Sequence, residues 1–201
     1  MLALAGCSEG SDDKAEPAGQ EQTAPIAADP AAPAAAASQN TVPAGSPERS
    51  AYTRVDLDAC KLVSRVEEGA SASWTCPGHG GIDLVALTGD GRMDLDAGRD
   101  NGTFESLTPF NDIGDTVEWR LGQDGKPIAM IYRLRTATPE VEPRSVLFVE
   151  TVPGGGKPGC LLARIEGSIS DANQRARKAA DAAEGGVDCG NVQPLLLGET
   201  G

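Results

Sequence analysis

The sequence predicts an α+β domain: an antiparallel sheet with one C-terminal helix and two disulfides, carried behind a disordered N-terminal tether. Three observations predict it. Residues 117–134 alternate apolar and polar side chains around Asp124-Gly125. Short β-rich runs recur between clusters of glycine and proline. A stripe of alanines at helical spacing follows Asp171 near the end of the chain.

Taken in order, residues 8–50 read as the tether. They are Ala, Pro, Gly, Gln, Ser and acids, with Pro-Ala-Ala-Pro-Ala-Ala-Ala-Ala at 30–37, and Ile26 and Val42 are their only branched aliphatic residues. Such a chain cannot bury enough apolar surface to offset the entropy of ordering it. As a coil it spans roughly 35–40 Å, and as polyproline II on the order of 130 Å. Residues 51–197 are long enough for one domain with a core of its own, and 198–201 form a tail. The net charge of −13 lies mostly in that domain. An acidic surface disfavours nucleic acid and anionic lipid headgroups, so neither is expected as a direct partner.

Strand runs follow at Ala72–Cys76, Ile82–Leu87 and Arg92–Asp96. They are separated by the glycines of 78–81 and by Gly89-Asp90-Gly91. Val117, Trp119 and Leu121 then alternate with Glu118 and Arg120, and Ile128, Met130, Tyr132 and Leu134 alternate again. A two-residue turn at Asp124-Gly125 pairs Leu121 with Ile128, Trp119 with Met130 and Val117 with Tyr132, which places every one of these apolar residues on one face. Pro127 falls opposite Gly122 in that register. Further strands are expected at Ser145–Thr151 and Leu161–Ile165, joined by a loop across 153–159.

Ser170 or Asp171 caps the helix, with Gln174 completing a capping-box variant, and Gly185 stops it. Ala172, Ala176, Ala179, Ala180 and Ala183 lie on one face and permit close approach to a sheet. Arg175, Arg177 and Lys178 read as a solvated face, with Arg177 positioned to pair with Asp181 at i,i+4.

Four cysteines fall inside the domain: Cys60, Cys76, Cys160 and Cys189. An even number in an exported domain reads as disulfides. Of three connectivities, Cys60–Cys76 and Cys160–Cys189 join the nearest members, and each bridge contributes about 3 kcal/mol in the loop-entropy account. Metal binding has poor support, because the spacings lack C-x-x-C and His79 is the single histidine.

The fifth cysteine has a different setting. Leu4-Ala5-Gly6-Cys7 resembles the lipobox of bacterial lipoproteins. The resemblance implies that Cys7 becomes a lipidated N-terminus carrying acyl chains such as palmitate, so residues 1–7 are the end of a signal and the lipidation site. Only six residues precede Cys7 and none is basic, so a full secretory signal is expected to extend further upstream. Ser8, a residue other than Asp, implies sorting to the outer membrane in the Gram-negative family, with the domain facing the periplasm. The membrane is thus an expected partner through the lipid anchor.

Within the domain, Trp74-Thr75-Cys76-Pro77-Gly78, Pro109-Phe110-Asn111, Gly114, Glu118-Trp119-Arg120 and the late alanine-rich helix ending at Cys189 look similar to uncharacterised exported proteins of Gram-negative bacteria. That resemblance implies a periplasmic domain and no particular activity.

The candidate chemistry is sparse. Asp94 to Asp100 resembles the start of a calcium loop, with Glu105 at position twelve. Gly98 at position five, Arg99 at six and Asn101 at eight all depart from the pattern, so the segment reads as an acidic, turn-rich loop. His79 lies in a glycine loop beside no nucleophile, and no G-x-S-x-G occurs. Gly154-Gly155-Gly156-Lys157 lacks the spacing and the Ser or Thr of a phosphate loop. Trp74, Trp119, Tyr52, Tyr132 and Phe110 are expected in the core. The sequence thus points to a non-catalytic binding module without cofactor or metal, taking an envelope protein or a glycan. An accessory or structural subunit of an envelope complex is the second expectation and a hydrolase the third.

Overall fold

The computed structural model describes residues 44–66, 71–108, 110–139 and 141–198. Cys7, the signal and nearly all of the expected tether lie outside them. The described part has eleven strands: β1 Ser50–Arg54, β2 Lys61–Val66, β3 Ser71–His79, β4 Ile82–Gly89, β5 Arg92–Ala97, β6 Asn111–Ile113, β7 Thr116–Leu121, β8 Pro127–Thr136, β9 Ser145–Thr151, β10 Leu161–Glu166 and β11 Leu195–Leu197. One α-helix, α1, spans Ala172–Asp181. The class is α+β with antiparallel pairing throughout, except that β11 runs parallel to β10.

The strands divide into two sheets. The larger has the order β1-β7-β8-β9-β10-β11, with β6 also paired to β8, and the smaller the order β2-β3-β4-β5. The period-two pattern explains why the larger sheet is central. On β8 and β9, Met130, Tyr132, Leu134, Val146 and Phe148 pack with Trp119 and with Leu84, Ala86 and Leu95 of the smaller sheet. The intervening Ala129, Ile131, Leu147 and Val149 pack on the other face with Ala172, Ala176, Ala180 and Ala183. A sheet buried on both faces carries apolar residues at successive positions, and the alanine side chains let the helix axis come close.

The expected hairpin forms, with a corrected turn. Trp119 pairs with Met130 and Arg120 with Ala129, but Leu121 then pairs with Pro127 rather than Ile128. Gly122 N–H donates to Lys126 O and Gly125 N–H to Gly122 O, and Gly125 has φ 75°. The connection is therefore a three-residue loop with glycine in the left-handed position, not a two-residue turn. The resulting bulge leaves Ile128 without a partner on β7 and packs its side chain against the second core.

Other local expectations also shift. Asp171, at φ 63°, makes no capping hydrogen bond and instead pairs with Arg175. Arg177 pairs with Glu118 rather than Asp181. Asp181 is taken by Arg120, whose side chain is wholly buried. Arg120 also donates to Ser46 O and Ser50 Oγ, and Gly45 N–H donates to Asp181. Residues 44–50, placed in the tether by composition, thereby belong to the folded domain. Both disulfides join as expected, Cys60–Cys76 and Cys160–Cys189.

Candidate functional site

Two features stand out: a buried group of acids between the sheets and an open groove at the second disulfide. The acids come from the segment read as a loop. Its first half is strand β5, where Met93, Leu95 and Ala97 face the apolar core and Asp94 and Asp96 alternate with them. The opposite side of an edge strand ordinarily meets water. Here the Tyr132 hydroxyl of β8 reaches Asp94, and Asn101 N–H of the Gly98–Thr108 connection reaches Asp96. Asp94, Asp96 and Glu150 are 0%, 1% and 1% exposed.

Tyr132 stands at the centre. Its Oη lies 3.0 Å from Glu150 Oε1 and 3.3 Å from Asp94 Oδ1. The same Asp94 oxygen accepts from Leu95 N–H. Asp96 Oδ2 accepts from Asn101 N–H at 3.4 Å. Asp94 Oδ2 and Asp96 Oδ1 are buried with no hydrogen-bond partner. On β10, Arg164 stacks over the Phe148 ring and donates to Ser106 O, and its charge acts on Glu105.

The electrostatics follow from burial. Loss of hydration pushes the Asp94 carboxyl up to about 7, against the hydrogen bonds from Leu95 N–H and the Tyr132 hydroxyl. Asp96 is pushed up to about 8, first by burial and then by the charge of Asp94. Burial, followed by Asp96 and Asp94, holds Glu150 well above the carboxylate range. Glu105 is raised by burial, with Arg164 opposing. Near neutral pH the group therefore retains protons. Asp94, Asp96 and Glu150 offer almost no surface to solvent. Among the described residues, no three His, Cys, Asp or Glu side chains are arranged to hold a metal ion.

The groove has a volume of about 750 Å³. Its walls are the start of β8, the β9–β10 connection and the segment from Ala183 to Cys189. Ile128, Val152 and Val187 give an apolar lining, Pro127 and Pro153 stiffen it, and the Cys160–Cys189 bridge ties two of its walls together. Lys157 and Asp188 supply charge at its edge. The Gly154–Lys157 turn, an inter-strand connection as expected, forms part of the wall.

The remaining candidate residues fall apart from both features. His79 ends β3 rather than sitting in a loop, beyond an irregularity at Pro77-Gly78, with its ring 6.3 Å from that of Trp119. Trp119 and Tyr132 are core and Trp74 packs against it, but Tyr52 and Phe110 are each 55% exposed, contrary to expectation. Leu62, Val63 and Val66 are exposed on β2, an edge strand. No helix among the described residues is long and apolar enough to cross a membrane.

Set against family models, curated proteins and solved structures, the chain matches none of them. The fold and site therefore define a class only: a disulfide-bonded α+β domain of two packed sheets and one helix.

Proposed function

We propose that the chain is an envelope lipoprotein, anchored to the outer membrane through Cys7, whose domain is a non-catalytic binding module facing the periplasm. Its ligand is an extended segment of another envelope protein. Leu4-Ala5-Gly6-Cys7 supports the anchor, and two disulfides suit an oxidising compartment.

The groove beside Cys160–Cys189 carries the binding reading. Proline, a tight turn and a disulfide leave its walls little freedom to lose on binding, which lowers the cost of association. Apolar side chains with one charge of each sign at the edge fit an extended peptide. Among the described residues no aromatic ring lines it, and a sugar would want one to stack on, so a protein ligand is favoured over a glycan.

The test uses the full-length chain. A side chain added at Gly154 enters open space, and Gly154 is not among the glycines with positive φ. Gly154 lines the groove, so Gly154→Trp puts a bulky ring at its wall without straining the backbone. An envelope protein retained by the wild type should be retained about tenfold less by this variant at unchanged melting temperature, a loss typical of a blocked hot spot. Equal retention would remove the groove from the argument. Cys7→Ser should release the protein from membranes, and persistent attachment would refute the anchor.

A further inference from the structure

We propose that Asp94, Asp96, Glu150 and Tyr132 form a proton-held latch that fastens the Gly98–Thr108 connection over the central sheet and releases it when the cluster ionises. The inference is independent of the groove and of the membrane anchor.

The first support is a count of hydrogens. A phenol has one proton to donate. Tyr132 Oη is within hydrogen-bonding distance of two carboxyl groups, Glu150 at 3.0 Å and Asp94 at 3.3 Å. Both contacts can be hydrogen bonds only when one carboxyl carries a proton and donates it to the phenolic oxygen. The second support is burial without compensation. Asp94 Oδ2 and Asp96 Oδ1 are buried and meet no donor. An ionised carboxylate left so carries a far larger desolvation cost than a neutral carboxyl.

The acids around the cluster come from several elements. Asp94 and Asp96 come from β5, Asp100 and Glu105 from the connection, Glu150 from β9 and Tyr132 from β8. Asp100 and Glu105 both act on Asp96, and Glu105 acts on Asp94 and Glu150. Arg164 of β10 is the cation opposite, and it acts on Glu105. Full ionisation would therefore set several carboxylates against one another with one guanidinium among them. A cation could relieve that repulsion in principle. The side chains are not arranged around a metal position, and protons need no such arrangement.

The latch holds the connection at identifiable points. Asp96 accepts from Asn101 N–H, Ser106 Oγ donates to Met93 O, and Ser106 O accepts from Arg164. Leu107, 2% exposed, is the apolar anchor. Repulsion among the acids pushes β5 and the connection away from β9, and those contacts lie in its path.

The direction with pH follows from linkage. These carboxyls titrate higher in the folded chain than in the unfolded chain, so the folded state binds more protons. Their contribution to stability is fully present at acid pH. It is lost as pH rises through the folded values, about 7 for Asp94 and about 8 for Asp96.

Hydrogen exchange read by mass spectrometry on the full chain, with EDTA present and intrinsic rates corrected, tests the latch at about pH 6 and about pH 9. Peptides covering 98–108 should lose at least about tenfold in protection at the higher pH, while those covering 172–181 keep theirs. Asp96→Asn and Glu150→Gln should each hold the connection protected at both values. The wild-type comparison stands even where a variant does not fold. Protection of 98–108 that is unchanged with pH overturns the latch, as does an Asp96→Asn protein that opens like the wild type. Recovery of protection at the higher pH on adding millimolar calcium would also overturn it, in favour of a cation site.

Discussion

Removing Asp181 should cost the domain much of its stability, and the reason can be worked from its partners. Asp181 Oδ1 accepts from Arg120 Nη2 at 2.7 Å and Nε at 3.0 Å, and Oδ2 accepts from Gly45 N–H at 2.6 Å. The Arg120 side chain is 0% exposed and that of Asp181 10%, so water does little to screen the pair. In Asp181→Ala the guanidinium keeps Ser46 O and Ser50 Oγ, both uncharged. Glu118 is 4.0 Å away and already engaged by Arg177. Leaving such a charge buried and unpaired costs about 3–5 kcal/mol. Against a total of about 5–15 kcal/mol that is a large fraction. For a domain of this size it corresponds to roughly a 10 °C fall in melting temperature. Urea unfolding under non-reducing conditions should show the midpoint shift at nearly constant slope. The double variant Arg120→Met/Asp181→Leu should regain most of the loss, because no charge remains to be stranded. A midpoint for Asp181→Ala within the range of ordinary surface changes, about 0.5 kcal/mol, would refute this account of how residues 44–50 and α1 are held to the sheet.

Two further expectations test the packing. Replacing Cys60 and Cys76 together by Ser removes a bridge across 16 residues and should cost about 3 kcal/mol. All six residues of β2 are exposed, so hydrogen exchange should show 61–66 losing protection while β8 and β9 keep theirs. Ala176→Leu inserts side-chain volume where the helix meets the sheet at a residue 0% exposed, and should destabilise by about 1–3 kcal/mol in urea unfolding. Ala179→Leu, only partly buried, should cost less in the same assay.

What could be read in advance depended on whether a signal was local. The β7–β8 alternation, the alanine stripe and the pairing of nearest cysteines are local, and each corresponds to an element of the fold. The bulge at Ile128 escaped because a two-residue and a three-residue loop both accept Asp124-Gly125. Only the Gly122–Lys126 hydrogen bond distinguishes them. Strands β1 and β2 escaped for another reason. Ser50–Arg54 and Lys61–Val66 bury no residue fully, so neither shows a hydrophobic alternation. The ion pairs of α1 likewise depend on β7, some 60 positions away in sequence.

The acids of β5 show the same limit most clearly. Met93-Asp94-Leu95-Asp96-Ala97 does alternate, which is a strand signal, but an acidic face next to Gly98 reads as solvent-facing. Its burial is decided by Tyr132, which meets Asp94 from 38 positions away, and by Glu150, a further 18 positions on, which meets Tyr132. A sequence pattern reports the faces of one strand, whereas the ionisation of Asp94 and Asp96 is set by what a second sheet and a crossing connection place over them. The consequence is that the least conventional chemistry in this domain sits where local rules predict an ordinary polar surface. Mutational work confined to motif-like positions such as His79 or Cys76-Pro77-Gly78 would pass it by.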